Sequence, residues 1–321
     1  MAKRHHYVPA TYLRQFVDAN GQLLVYRKDD PARVLRQRPE TTAFERYYYS
    51  QIATDGVRDD DSFETLFSQL EGRWTPIVDA LRRREAMFPD AGNLVTFIAL
   101  MRVRGPAFRD MVELQLGKIV HTEMMTLERA GEIEPPPMGL SLEDIIVAID
   151  PHRSLMALAE GLKSIGGLLE TLHFDVLHNE TGIDFLTSDN PVLYYDPRVP
   201  HSRLRPYTIA GPYAPTELLF PIAPDMLIRG RLRPRRSDIG HRSLADARKI
   251  VRINRLIARF GYRSVFARGA GQEKLILETA ALSPVPKFFR VAHPQGGFVT
   301  ITQMVFGPRP EKPRWKSPDQ G

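Results

Sequence analysis

Residues 166–195, GGLLETLHFDVLHNETGIDFLTSDNPVLYY, mark the point at which helical periodicity gives way to strand-like runs. After Gly166-Gly167, short runs of β-type residues follow one another, and Pro, Asp and Gly separate them, as in strands joined by turns. These runs are His173–Leu177, Asp184–Thr187, Val192–Tyr195, Glu217–Ile222 and Met226–Arg229. The boundary therefore predicts a strand-rich half over residues 167–307.

The residues before this boundary are predominantly helical. Apolar residues recur at three- and four-residue steps over 61–81, and Pro76 is expected to kink that helix. Further helices are predicted over 91–104, 107–128 and 142–165. We predict an α+β fold in which a helix-rich half, 1–166, packs on the strand-rich half as a single domain over 1–307.

Three more elements follow from local signals. Leu23–Lys28 is predicted as a strand after the turn Asn20-Gly21. A helix over 244–260 is expected to begin with a capping box in which Ser243 and Asp246 are the paired residues. The last predicted strands are Ser264–Ala267 and Phe298–Thr302, taken as a pair, and the Pro- and Lys/Arg-rich segment 308–321 is predicted to be disordered.

Composition and charge narrow the class of protein. The 321 residues contain no cysteine, which excludes disulfides, thiolate zinc sites and a cysteine nucleophile. No secretory signal and no membrane-spanning run is recognised, so a cytoplasmic protein without a membrane partner is expected. The net charge is +6, but segment 229–268 alone carries +11, from thirteen Lys or Arg against two acids, and the remainder carries −5. Such a local excess predicts either a nucleic-acid partner or a solvated basic face.

Four groups of residues are candidates for catalysis or ligand binding, and each also has a structural interpretation. His5 and His6 are candidate acid, base or metal ligands, or they hold the start of the chain in place. Ser188, Asp189 and Asn190 lie in a Thr-Ser-Asp-Asn-Pro turn, where Asp189 either faces a ligand or accepts backbone N–H groups. The third group is Glu64 and Glu71, whose ion-pair partner is Arg102 or Arg104. The fourth is a stripe along one helix face, formed by Arg248, Arg252, Arg255 and Arg259. Asn254 lies between these arginines as either a core contact or a site residue.

Six blocks of the sequence together resemble the family of domains of unknown function numbered 4238. The blocks are HHYVPATYLRQF at 5–16, SFETLFSQLEGRWTPIV at 62–78, FIALMRVRGPAFR at 97–109, FLTSDNPV at 185–192, LLFPIAPDMLI at 218–228 and VRINRLIARFGYRSVFA at 251–267. The resemblance implies no reaction, and the chain departs from the family pattern at Arg104-Gly105-Pro106, where a hydroxyl residue is expected before the proline. The positions it marks are His6, Tyr7, Val8, Pro9, Glu64, Glu71, Arg104, Ser188, Asp189, Asn190, Pro191, Pro221, Pro224 and Asn254.

Polar residues of these types suit phosphodiester chemistry, and the leading hypothesis is a metal-dependent nuclease or phosphodiesterase-like enzyme. His6, Glu71 and Asp189 would hold Mg²⁺ or Mn²⁺ or activate water, and Arg104 would bind the scissile phosphate. The face formed by Arg248, Arg252, Arg255 and Arg259 would hold the nucleic-acid backbone. The alternatives are a nucleic-acid-binding or protein-interaction module without catalysis, and arginines that meet an acidic protein.

Overall fold

The structure is a computed structural model that describes residues 4–52, 57–87, 89–137, 139–211, 213–232, 238–294, 297–313 and 315. Arg233, Arg235 and Arg236 of the basic segment 229–268 lie outside the described residues, as do 314 and 316–321 of the segment predicted to be disordered.

Most of the helices precede residue 171. They are α1 Ala10–Leu13, α2 Ser62–Glu71, α3 Trp74–Arg82, α4 Ala91–Val103, α5 Pro106–Ala130, α6 Pro151–Glu170, α7 Ala247–Phe260 and α8 Glu273–Thr279. Short 3-10 turns occur at Arg14–Phe16, Pro39–Thr41, Leu142–Asp144 and His201–Arg203. The predicted concentration of helices in the N-terminal half is therefore confirmed.

The strands are more frequent in the C-terminal half. They are β1 Arg4–His6, β2 Leu23–Arg27, β3 Val34–Gln37, β4 Phe44–Arg46, β5 Gln51–Ile52, β6 Arg58–Asp59, β7 Leu172–Asn179, β8 Thr187–Ser188, β9 Leu193–Tyr195, β10 Glu217–Ala223, β11 Met226–Leu232, β12 Gly240–Leu244, β13 Ser264–Ala267, β14 Ser283–Ala292 and β15 Phe298–Gly307. Their arrangement confirms a mixed fold with several separate sheets.

Two larger sheets and three strand pairs make up the β structure. A five-stranded sheet has the order β12-β7-β11-β10-β9, and a four-stranded sheet has the order β3-β2-β13-β8. The pairs are β1 with β4, β5 with β6 and β14 with β15. All pairings are antiparallel except that of β12 with β7. The four-stranded sheet thus joins the N-terminal hairpin of β2 and β3 to β8 and β13 from the C-terminal half of the chain.

Two helix predictions are wrong in their boundaries. The helix predicted over 61–81 is two helices separated at Gly72-Arg73, and Pro76 lies in the first turn of α3, where its missing N–H costs little. The helix predicted over 142–165 begins only at Pro151, capped by the Asp150 carboxylate, and continues to Glu170. Proline favours the first helical position and disfavours a helical residue before it, which explains this later start.

Helix α7 and the late strands also differ from the sequence predictions. Ser243 belongs to β12, so Asp246 alone caps α7, by accepting the N–H groups of Arg248 and Lys249. The strand predicted over Asp184–Thr187 is reduced to the two residues of β8. Strands β13 and β15 are not partners, because β13 pairs with β2 and β8 whereas β15 pairs with β14, a strand the sequence did not reveal.

A continuous apolar core contains residues from both halves of the chain. Trp74 of α3 stacks on Phe97 of α4 at 4.1 Å between ring centroids, and its ring centroid lies 5.8 Å from that of Phe220 in β10. Tyr12 of α1 stacks on the same Phe220, and its hydroxyl donates to the Pro221 carbonyl at 2.6 Å. The first helix is thereby fixed to strand β10 of the five-stranded sheet. Among the described residues, no helix combines the length and apolarity needed to cross a bilayer.

Candidate functional site

The N-terminal histidines lie beside a buried arginine. The Arg104 side chain, 1% exposed, donates to a Glu71 carboxylate oxygen at 2.8 Å and to the His6 carbonyl at 2.6 Å. The Tyr49 hydroxyl donates in turn to the Arg104 carbonyl at 2.9 Å. The ion pair predicted between Glu71 and an arginine of the next helix is therefore confirmed, with Arg104 as the partner.

The two histidines and Glu64 have different surroundings in this cluster. His5 is buried, its Nδ1 accepts the Tyr49 N–H at 2.9 Å, and its ring stacks on that of Tyr49. His6 is half-buried, and burial lowers the pKa of its imidazole. Burial also raises the pKa of Glu64, whose Oε1 is buried without a hydrogen-bond partner among the described residues. His6 also has a hydrogen bond to the backbone of Glu40, which opposes the lowering of its pKa. Among the described residues, neither His6 nor Glu64 forms an ion pair.

The Ser188-Asp189-Asn190 turn binds backbone groups of the segment that follows α7. The Asp189 carboxylate, 1% exposed as a residue, accepts the N–H groups of Tyr262 and Arg263, each at 2.8 Å. The Asn190 amide donates to the Phe260 carbonyl at 2.8 Å, and Ser188 Oγ accepts the Asn190 N–H at 3.2 Å. Burial raises the pKa of Asp189, and the two amide hydrogen bonds oppose that shift. Both carboxylate oxygens are therefore directed at the backbone of residues 262–263.

The segment around Arg104 and the Ser188-Asp189-Asn190 turn are neighbours, but their side chains do not form one site. A Cβ on Gly105, the residue after Arg104, would lie 3.1 Å from the Asp189 carbonyl oxygen. Among the described residues, however, no group of three or more His, Asp or Glu side chains is arranged to hold a metal ion. Of the three predicted ligands, Glu71 binds Arg104 and Asp189 binds backbone amides in this structure.

The arginine stripe of α7 is divided between solvent and interior. Arg248 and Arg252 are exposed, whereas Arg255 forms a 2.8 Å ion pair with Glu278 of α8. Arg259 turns inward, donates to the His201 carbonyl and lies 3.9 Å from the Phe306 ring centroid. The four arginines therefore do not all face solvent, because Arg259 packs against Phe306 of β15.

Asn254, which lies between the arginines, is a structural link. It is fully buried, its carbonyl accepts the Leu186 N–H at 3.0 Å, and its amide donates to the Asp184 carbonyl at 2.7 Å. Its side chain joins α7 to the segment that leads into β8. The polar core contact predicted for Asn254 is therefore present.

A cavity of about 520 Å³ lies between α7 and the five-stranded sheet, and we name it the basic groove. Its cationic lining side chains are Arg229, Arg231, Arg242, Lys249 and Arg252. Asp175 holds Arg229 at 2.9 Å and Arg242 at 3.1 Å, and Glu217 holds Arg231 at 2.8 Å. His201 also lines the groove, and burial, with help from Arg252, lowers the pKa of its imidazole.

Sequence reasoning identified the basic segment but missed the acids that organise it. Asp175 and Glu217 lie on strands β7 and β10, and each meets its arginine across a strand pair. The partners are 54 and 14 residues apart in the chain. Only the register of the strands could have revealed these contacts.

Comparison with protein families gives one match. The family model described as Protein of unknown function (DUF4238) matches residues 4–270, which is most of the chain. The chain therefore belongs to the DUF4238 family, and the resemblance found in the sequence is confirmed. No curated protein and no solved structure matches it.

Proposed function

We propose that this protein binds the phosphate backbone of nucleic acid through the basic groove, as a binding module without catalysis. The observation that supports this proposal is the convergence of five Lys or Arg side chains from β11, β12 and α7 on one cavity, whose described lining contains a single acid, Glu217. Guanidinium groups match phosphate geometry, and a cluster of cations gains affinity by releasing the counterions of the nucleic acid.

Two of the five cations are available to a ligand. Lys249 and Arg252 have no ion-pair partner among the described residues, whereas acids orient Arg229, Arg231 and Arg242. Residues 249 and 252 lie one turn apart on α7, so both side chains project from the same helix face. Unpaired cations beside cations that acids hold in place are expected on a surface that binds along a nucleic-acid backbone.

The aromatic content of the groove favours recognition of phosphates over recognition of bases. Tyr195 lines the groove, but it is 3% exposed and its hydroxyl donates to Glu217 at 2.7 Å. A ring held in this way offers no face on which a base can stack, and stacking is the usual means of binding single strands without sequence preference. We therefore propose contacts that depend on charge and are strongly sensitive to salt.

The double variant Lys249→Ala/Arg252→Ala tests the proposal. We expect weaker binding of fluorescently labelled DNA and RNA, because two phosphate contacts are lost. The slope of log Kd against log salt concentration should decrease in magnitude by about 2. Fluorescence anisotropy titrations at several salt concentrations measure both quantities.

Arg255→Ala is the matched control, because it removes an exposed arginine of the same helix that Glu278 already pairs. It should leave both the Kd and the salt slope nearly unchanged. Equal losses in the control and in the double variant would contradict the proposal. Displacement of nucleic acid by polyglutamate at equal charge concentration would favour an acidic protein partner instead.

The metal-dependent nuclease remains a second candidate, and its supporting observation is that Glu71 and Arg104 lie beside His6. Neither these residues nor Asp189 lines the basic groove. The same DNA and RNA, incubated with Mg²⁺, Mn²⁺ or a chelator, test it. Metal-dependent cleavage that is lost in His6→Ala at unchanged stability would favour the enzyme over the binding module.

A further inference from the structure

A second group of cavities lies on the side of α5, away from the basic groove. Three cavities, of about 280, 380 and 580 Å³, adjoin one another there. Lys312 is the one described residue that lines all three, whereas Asp110 and Glu113 of α5 each line two. The Lys312 side chain therefore separates spaces that would otherwise be continuous.

The Lys312 ammonium binds two buried carboxylates. Asp110 and Glu113 are one turn apart on α5 and are 5% and 4% exposed. Lys312 Nζ lies 3.2 Å from Asp110 Oδ1 and forms an ion pair with Glu113 as well. Arg263 lies 3.4 Å from Asp110, and the Ser154 hydroxyl donates to Glu113 at 2.9 Å. Two carboxylates this deeply buried need a cation between them, because an unpaired buried charge is strongly unfavourable.

The segment that supplies this cation is attached mainly through its side chains. Residues 308–313 belong to no helix or strand, and among the described residues no backbone hydrogen bond joins them to the rest of the chain. Besides Lys312, the Arg309 guanidinium lies 5.7 Å from the Tyr262 ring centroid. Separation of this segment would break few backbone contacts, so its main cost is the loss of the Lys312 ion pairs, which another cation can replace.

We propose that Asp110 and Glu113 form a binding site for a primary alkylammonium group, and that Lys312 is its internal occupant. An ammonium group offers three N–H donors, enough for both carboxylates at once. Leu114, Ile145 and Val147 line the adjoining cavity of about 280 Å³ and provide an apolar surface for the alkyl chain of an external ligand. The inference does not depend on the basic groove, whose lining residues are all different.

The test removes the internal occupant and supplies an external one. In Lys312→Ala, pentane-1,5-diamine should raise the Tm progressively with the logarithm of its concentration, by roughly 3 °C at ten times its Kd. Glu113→Gln in the same background should abolish the shift, because one carboxylate charge is lost. Lys118→Ala is the matched control, because Lys118 lines the same cavity without contacting either carboxylate. The diamine should raise the Tm of Lys118→Ala no more than that of the unaltered protein. In both proteins Lys312 competes with the diamine for the two carboxylates.

A second measurement follows the segment itself in the unaltered protein. The chain has two tryptophans, the fully buried Trp74 and Trp315, which is 41% exposed and lies three residues beyond Lys312. Displacement of Lys312 by the diamine should lower the fluorescence anisotropy of Trp315, and tetramethylammonium, which has no N–H donor, should not. Absence of a Tm shift in Lys312→Ala, or an equal shift in Lys118→Ala, would overturn the proposal. If Lys312→Ala does not fold, an unchanged Trp315 anisotropy would overturn it.

Discussion

At the scale of single residues, several polar side chains in the segments that carry the resemblance act largely through backbone contacts. Asp189 accepts two N–H groups of the segment after α7, and Arg104 donates to the His6 carbonyl. Asn190 and Asn254 likewise join separate elements through main-chain atoms. Polar residues in these positions stabilise the fold by satisfying buried backbone groups, which an apolar residue cannot do.

Replacement of Asp189 by alanine should therefore affect stability. Two buried N–H groups would lose their acceptor, and we expect the free energy of unfolding to fall by about 2–4 kcal/mol. Urea denaturation measures the change. Asp79→Ala is the control, because Asp79 forms only an exposed pair with Arg82, and it should change stability by less than about 0.5 kcal/mol. Unchanged stability of Asp189→Ala, together with a loss of cleavage, would support the catalytic role instead.

At the scale of elements, packing decides what each glycine of α6 contributes. A Cβ on Gly161 would lie 2.5 Å from Cζ of Phe108 and 3.1 Å from Cγ1 of Val103, so α6 approaches α4 and α5 closely at this residue. Around Gly167, near the end of the same helix, there is nothing within 4 Å of such a Cβ. Gly166-Gly167, the predicted boundary between the helix-rich and strand-rich halves, lies inside this helix.

The two glycines should respond in opposite ways to the same substitution. Gly161→Ala should lower the free energy of unfolding by about 1–3 kcal/mol, because the added methyl group overpacks the contact with Phe108. Gly167→Ala should raise it by up to about 1 kcal/mol, because alanine favours the helix and has free space. Thermal and urea unfolding of the pair measure the contrast. Stabilisation by both substitutions would contradict the close packing of α6.

At the scale of the whole molecule, aromatic residues join the two halves of the chain. Trp74 and Phe97, from the helices, pack with Phe220 of strand β10 in the five-stranded sheet. The prediction of a single domain over 1–307 depends on this shared core, because halves that bury each other's apolar surface unfold together.

Unfolding should accordingly be a single cooperative transition. In a Trp315→Phe background, Trp74 fluorescence and far-UV circular dichroism should give the same urea midpoint. Phe220→Ala should lower both midpoints together, with a loss of about 3–5 kcal/mol. Separate midpoints, or a shift of only one signal, would show that the halves are independent domains.

The sequence by itself determined most of the secondary structure and the family. Helices α4, α5 and α7 and strands β7, β10 and β11 lie close to where local periodicity predicts them, because side-chain spacing reports which face of an element is buried. The location of the excess positive charge was likewise readable from composition.

The tertiary structure alone decided which charges meet. Asp189 binds a backbone 73 residues away, Lys312 reaches Asp110 across 202 residues, and Asp175 organises arginines of two other strands. Such contacts depend on register and packing between distant segments, which local sequence does not encode.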